Sequence, residues 1–440
     1  MSEGIGSLRT PRGCHCTPSI APTFDYYGSI PIENAQHSFS EEKIMPINGT
    51  TNGPYEFHID SVGDSFVSLN NIVMYCKARI QHSNPVPDGE DLTGVAPINN
   101  TLGSLWKEIE TRINNVPINP NSSYNTAFKS YLETVLSYDE ASCHAADGGL
   151  FAMDEAQKFN ARNDDNEGYI ERRERTKNGR PFDMCGTICS DFLRSSNHLA
   201  PGNRLTLKFT KAPDKFLLMT EGPHDYKLDI LEVALYVRRI HLRPEAIKSI
   251  LKPNTIQKYL TTYTEIKEFP VSAGIHHFST KLYTGEHLPK QIIIFLVDTI
   301  AQLGHHHYNP FRFYHHQLNR INLKVNGACV PQEPLTPDFY NGLFMREYHH
   351  MFSNTGKNRI SGGNCISPEC FGDGGAIFPF DLTPDQCNGH HVHAGTDGCL
   401  ELQLKWAHPL PGPITIMAYA VFDQIVLIKP DSMTPITEIF

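Results

Sequence analysis

The sequence predicts a mainly β protein: two antiparallel jelly-roll β-sandwiches in tandem, carrying helical insertions. Three observations point there. Short apolar or alternating runs outnumber helical stripes, and Gly 32 and Pro 31 suit a chain rich in strands and turns. Loops, and only rarely helices, separate the runs, which argues against a doubly wound parallel sheet. One eight-stranded jelly roll takes about 150–200 residues, so 440 residues accommodate two.

Residues 1–50, rich in Ser, Pro, Gly and Asn, predict an extended N-terminal arm. The first sandwich is expected over 51–243, opening with β-branched and apolar runs between Phe66 and Ile80. A helical insertion is expected near 101–140. Its first helix would start at Thr101 and carry Leu105, Trp106, Ile109 and Ile113, spaced by 1, 3 and 4. Its second would place Phe128, Tyr131, Leu132, Val135 and Leu136 on one stripe, the signature of a buried face. The mixed charge run Glu171–Lys177 reads as a solvated surface, because its acids dilute any nucleic-acid patch.

Strands are expected at Leu205–Phe209, Phe216–Met219 and Leu228–Leu242. A connecting helix over 244–262, with Pro244 in its first turn, marks the seam before the second sandwich at 263–440. That half should hold strands at Glu265–Val271, His277–Leu282, Gln291–Val297, Asn319–Val325, Leu400–Trp406 and Thr415–Ile428. An amphipathic helix between Thr336 and Phe352 would carry Phe339, Leu343, Phe344 and Tyr348 behind a Thr-Pro-Asp start.

Composition narrows the function. Lys+Arg 38 against Asp+Glu 48 leaves a net charge of −10, a poor basis for binding nucleic acid strongly. No apolar stretch reaches the ~18 residues of a membrane helix, and the first residues lack the basic–apolar–small order of a secretory signal. The 11 Cys form no CxxC pair, so reduced thiols and no structural metal are expected. The sequence contains no G-x-S-x-G elbow, Walker A loop, G-x-G-x-x-G or H-E-x-x-H. No catalytic residue, cofactor or metal site is therefore assigned.

Histidine is the unusual feature. His276-His277, His305-His306-His307, His315-His316, His349-His350 and His390-His391-x-His393 hold 12 of the 22. A His-x-His pair on a jelly-roll strand suggests a cupin-like metal enzyme, but Glu401 lies eight residues beyond His393, past a turn, and the doublets point to opposite strand faces. A carbohydrate-binding module on the same base is the companion alternative. Titration at subunit contacts is a further reading, and packing or surface roles are the plainer one.

Several segments together resemble a known family. They are Val67-Ser-Leu-Asn-Asn-Ile-Val-Met-Tyr-Cys-Lys-Ala-Arg-Ile, Asn99-Asn-Thr-Leu-Gly-Ser-Leu-Trp, Tyr131-Leu-Glu-Thr-Val-Leu-Ser-Tyr, Asp191-Phe-Leu-Arg and Tyr236-Val-Arg-Arg-Ile. The second half adds Gly285-Glu-His-Leu-Pro, Asn309-Pro-Phe-Arg-Phe and Phe380-Asp-Leu-Thr-Pro-Asp. In order and spacing, over about residues 55–430, the set is similar to the major capsid protein of Polinton (Maverick) elements and adintoviruses. The resemblance implies a double jelly roll like adenovirus hexon. It also implies a homotrimer forming a pseudo-hexagonal capsomer of an icosahedral DNA-virus shell, and partners limited to itself, neighbouring capsomers and minor capsid or penton proteins. It implies residence in the virion after assembly in the host nucleus, and brings no catalytic residue. Asn309, Pro310, Phe311 and Phe313 are candidates either for a subunit contact or for closing a turn within one subunit. A single-jelly-roll minor or vertex protein fits the length less well.

Overall fold

Alternation dictates the first ladder. In Tyr55–Asp60 the side chains of Tyr55, Phe57 and Ile59 are buried while Glu56, His58 and Asp60 are half-buried, the period-two pattern of a strand covered on one face. The structure, a computed structural model, describes residues 35–439 except 49–52, 62, 85–91, 120–123, 140–142, 164, 223–224, 252–254, 286, 358–362, 385–391, 394 and 430–433.

The first half contains β1 (Gln36–Ile44), β2 (Tyr55–Asp60), β3 (Ser65–Val67), β4 (Val73–His82), β5 (Val95–Pro97), α1 (Thr101–Ser104), β6 (Trp106–Ile113), β7 (Val116–Ile118), α2 (Thr126–Ser137), α3 (Glu167–Thr176), β8 (Phe182–Thr187), β9 (Arg204–Lys211), α4 (Asp214–Leu217), β10 (Leu218–Thr220) and β11 (Tyr226–Leu242). After α5 (Pro244–Ile250) the second half contains β12 (Gln257–Val271), β13 (His277–Gly285), β14 (Gln291–Asp298), α6 (Thr299–Gln302), β15 (Leu318–Val325), β16 (Ala328–Leu335), α7 (Met345–Asn354), α8 (Pro368–Gly372), β17 (Ile377–Asp381), β18 (Gly398–Trp406), β19 (Ile414–Ile428) and β20 (Pro435–Ile439).

The first half pairs as β1-β11-β4-β8 and β2-β9-β6-β7; the second pairs as β12-β19-β14-β17 and β13-β18-β15-β16. With the eight main strands of each half numbered in turn, both read 1-8-3-6 and 2-7-4-5. These are two antiparallel jelly rolls in tandem, as expected. The short β3, β5, β10 and β20 add to the frame, with β5 and β10 forming a two-stranded ribbon and β3 and β20 joining β11 and β19. A single buried cluster runs through both halves, so the sandwiches share one core.

Three expected helices are corrected. Thr101 begins only the four-residue α1, and Trp106 onward is strand. A register shift between Trp106 and Glu108 puts the first buried pair three residues apart, and this bulge imitates helical spacing. The connecting helix keeps its proline start but ends at Ile250, and Gln257–Val271 is a strand making a 15-residue ladder with β19. The sequence carries a proline at 253, which disfavours a helix running on towards residue 262. The third helix begins at Met345, not Thr336. Before it, Asp338 and Leu343 exchange both backbone hydrogen bonds at 2.9 Å, the Asp338 carboxylate accepts from the Asn341 N and Nδ2, and Gly342 takes φ +71°. Together they close a tight turn.

Of the expected arm, 1–34 lie outside the described residues, and Gln36–Ile44 form an edge strand on β11. Truncation of Phe57, fully buried and edge-on to Phe209 at 5.7 Å, removes a ring from the centre of the first sandwich. Phe57→Ala is expected to cost about 3–5 kcal/mol, read as a lowered urea midpoint with unchanged slope.

Candidate functional site

The seam between the sandwiches is built from the fifth-to-sixth-strand connection of the first half and the β12-β19-β14-β17 sheet of the second. β14 and β19 are buried along nearly their whole length, on both faces. On one face Phe422 meets Tyr283 of β13 at 5.6 Å. On the other, Phe295 meets Phe128 of α2 at 6.2 Å, and the Tyr419 hydroxyl donates to Glu133 of α2 at 3.0 Å. Nine of the twelve residues of α2 are buried, including the whole expected stripe Phe128, Tyr131, Leu132, Val135 and Leu136.

The Asn309–Phe313 loop completes the seam. Phe311 stacks on Tyr131 at 4.1 Å, 3° from parallel, and meets Phe128 and Phe216 edge-on. Phe313 lies 4.6 Å from Phe295. The Asn309 amide donates to the Asp154 carboxylate at 2.9 Å and to the Phe159 carbonyl at 3.1 Å. Asn309, Pro310, Phe311 and Phe313 are all buried in one chain. Within the chain these four side chains help hold one half to the other.

Two buried ion pairs lock the same surface. Lys129 of α2 donates to Asp191 at 2.6 Å with both side chains almost fully buried. The Asp191 carboxylate also accepts from the Thr264 backbone N and hydroxyl on β12. Burial opposes the Lys129 charge, yet Asp191 beside it prevails and holds its pKa above the ordinary value. Arg172 of α3 spreads its guanidinium over the Pro97 and Ala152 carbonyls and Asp154 at 2.6–3.0 Å. Asp154 in turn receives Asn166 and Asn309. The charge run expected to be solvated thus carries one buried charge, Arg172. Its phase shows this: Tyr169, Arg172 and Thr176 share one helix face, and all three are buried.

Beside the seam a cavity of about 380 Å³ is lined by residues including Ser130, Glu133, Cys185, Cys189 and Arg194. Cys189 donates its thiol to Glu133 at 3.0 Å, and burial together with that carboxylate pushes its pKa well up. Such a thiol stays protonated and is a poor nucleophile.

The histidines disperse. His276 and His277 are exposed. His306 meets the Leu218 carbonyl and His307 the Thr220 carbonyl, both across the seam. His390 and His391 lie outside the described residues. Among the described residues, no three His, Cys, Asp or Glu side chains converge as a metal would require. His315 is buried and stacked on Phe339 at 3.7 Å. Its Nε2 bonds the Gly372 carbonyl at 3.0 Å and its Nδ1 accepts from the Gln317 N at 2.9 Å, so the neutral ring satisfies both neighbours. Burial lowers its pKa to about 4.

No family model matches the chain. It is 24% identical over 401 residues to an uncharacterized protein of Caenorhabditis elegans, covering 85% of this chain and 90% of that protein. A chain of the Sputnik virophage structure superposes with a TM-score of 0.64 at 12% identity, covering 97% of this chain and 93% of its own. The mavirus major capsid protein superposes with a TM-score of 0.56 at 11% identity, covering 98% and 97%. At such identities the likeness to the two viral structures is one of fold, and it extends over both sandwiches.

Two outcomes follow from this chemistry. Arg172→Ala strands the Asp154 charge in the core and is expected to cost about 3–5 kcal/mol, whereas Lys43→Ala on the exposed Lys43–Glu232 pair should leave the urea midpoint nearly unchanged; urea titration of both checks the contrast. For His315, the folded pKa of about 4 lies below the unfolded value of about 6.5, so the unfolded chain takes up the proton first as pH falls. Stability is full above pH 6.5 and declines towards pH 4. The melting temperature should drop across that window, and His315→Gln should flatten the drop relative to wild type.

Proposed function

We propose that the chain is a structural major capsid protein whose homotrimer forms a pseudo-hexagonal capsomer of an icosahedral shell. The supporting observation is the tandem of two sandwiches with the same strand order, fused through a buried seam. The fold-level match to the mavirus major capsid protein over 98% of the chain adds to it. Two similar wedges per chain, repeated three times around an axis, tile a near-hexagon.

The quoted sequence segments favour the Polinton (Maverick) and adintovirus type within this class. In this reading the protein acts by burial rather than catalysis, resides in the virion, and meets copies of itself and minor or penton proteins at the shell's vertices. Assembly in the host nucleus belongs to the same resemblance. The three contacts of the trimer should each be of the obligate class, above about 2,000 Å².

Mass photometry of the purified chain should give a species of about 150 kDa, three chains of 49.5 kDa, with a hexagonal outline in negative stain. A stable monomer carrying one equivalent of metal would overturn the proposal in favour of a jelly-roll enzyme.

A further inference from the structure

The contact that joins the two sandwiches is heterologous: it uses two different patches. One is the connection between the fifth and sixth strands of the first sandwich, which carries α2. The other is the outer face of the 1-8-3-6 sheet of the second, where Phe295 and Tyr419 lie. Because both sandwiches share one topology, each has both patches. Among the described residues, one connection and one face are covered along their length, whereas part of the other connection and the other face stay open.

The matching connection of the second sandwich is residues 336–376; its later part packs on the first half, where Cys365 N donates to the Val135 carbonyl at 3.0 Å, but its start around 338–345 faces outward. Only three of the ten residues of α7 are buried, against nine of twelve in α2. The Asp338–Leu343 turn ahead of it exposes Tyr340 (85%), Leu343 (67%) and Met345 (56%). This tip is stiff: the turn is closed by its own hydrogen bonds, and Phe339 beneath it stacks on His315 and Phe344. A preorganised, exposed aromatic and aliphatic group loses little entropy on docking.

The open face is the outside of β1-β11-β4-β8. There β4 presents Val73, Tyr75 and Lys77 half-exposed, and β11 presents Tyr236 beside them. Charged pairs rim this aromatic centre, Lys43–Glu232 at 2.7 Å and Arg79–Asp229 at 3.6 Å. The corresponding strands of the second sandwich, β14 and β19, are covered on both faces. An aromatic centre within a charged rim is the makeup of a protein interface.

We infer that the Tyr340–Leu343–Met345 tip of one copy docks on the Tyr75/Tyr236 sheet face of the next, repeating between chains the contact that α2 makes within the chain. The occupant of each patch is therefore a second copy of this protein. A heterologous contact of this kind closes into a ring, and three copies satisfy every patch. The inference rests on the capsomer reading and adds which surfaces form it and in which direction.

The test uses the full chain. Tyr340→Glu/Leu343→Glu alters only the tip, and Tyr75→Lys/Tyr236→Lys only the face; Lys77→Glu replaces the latter if it loses a cooperative melt. Each variant alone should shift from about 150 kDa to a monomer of 49.5 kDa with unchanged far-UV circular dichroism. Mixed, the two retain one intact tip and one intact face, so they should form dimers of about 100 kDa and no trimers. A tip variant that remains trimeric, or a mixture that stays monomeric, overturns the inference while a trimeric wild type leaves the capsomer reading standing. A monomeric wild type overturns that reading itself.

Discussion

A sheet that is apolar on both faces must be covered twice. In the second sandwich β14 and β19 form such a sheet: Gln-Ile-Ile-Ile-Phe-Leu-Val-Asp has six consecutive buried residues, and β19 begins with eleven. The sandwich's own second sheet covers one face. The other needs an outside layer, and α2 of the first sandwich supplies it. The tandem is therefore one folded body, because the second half lacks a surface that water could tolerate without the first.

Apolar cover alone sets no register. The polar groups at the seam do, since each buried charge must find its own partners or lose several kcal/mol. Lys129–Asp191–Thr264 ties α2 to β12, and Arg172–Asp154–Asn309 ties α3 to the loop after α6. The first sandwich differs in its strand chemistry. β4 and β11 alternate, with Lys77, Arg79, Asp229 and Glu232 on the outer side, so that face is stable in water without further cover.

The long strands are legible in the sequence because their periodicity and β-branched content agree: β11, β14, β18 and β19 lie within a few residues of the apolar runs that mark them. The α2 stripe is legible for the same reason at period 3.6. What misleads is a local break in period. The bulge at Trp106/Glu108 turns a strand into an apparent helix, and the Asn341-Gly342 turn hides inside an apolar pattern that would otherwise continue α7 backwards. The seam is less visible still, since it depends on residues far apart in sequence. Lys129 sits in phase with Leu132 and Leu136 on α2, and that phase is the one sign that its ammonium is buried. Asn309 and Phe311 stand out as a segment, but only the fold places them against Asp154 and Tyr131.

The pairing of β1 with β11 has a consequence for how the protein emerges from the ribosome. Gln36 pairs with Leu242, so the first sandwich closes only after some two hundred further residues have been made. The β12–β19 ladder then holds the second sandwich open until Ile428 is available. Such distant pairings slow folding. Throughout that interval the apolar side of α2 has no covering sheet, and the nascent chain is at its most prone to sticking to its neighbours. The stretch of synthesis between residue 242 and residue 428 is thus the one in which the growing chain carries apolar surface that its own later strands have yet to cover.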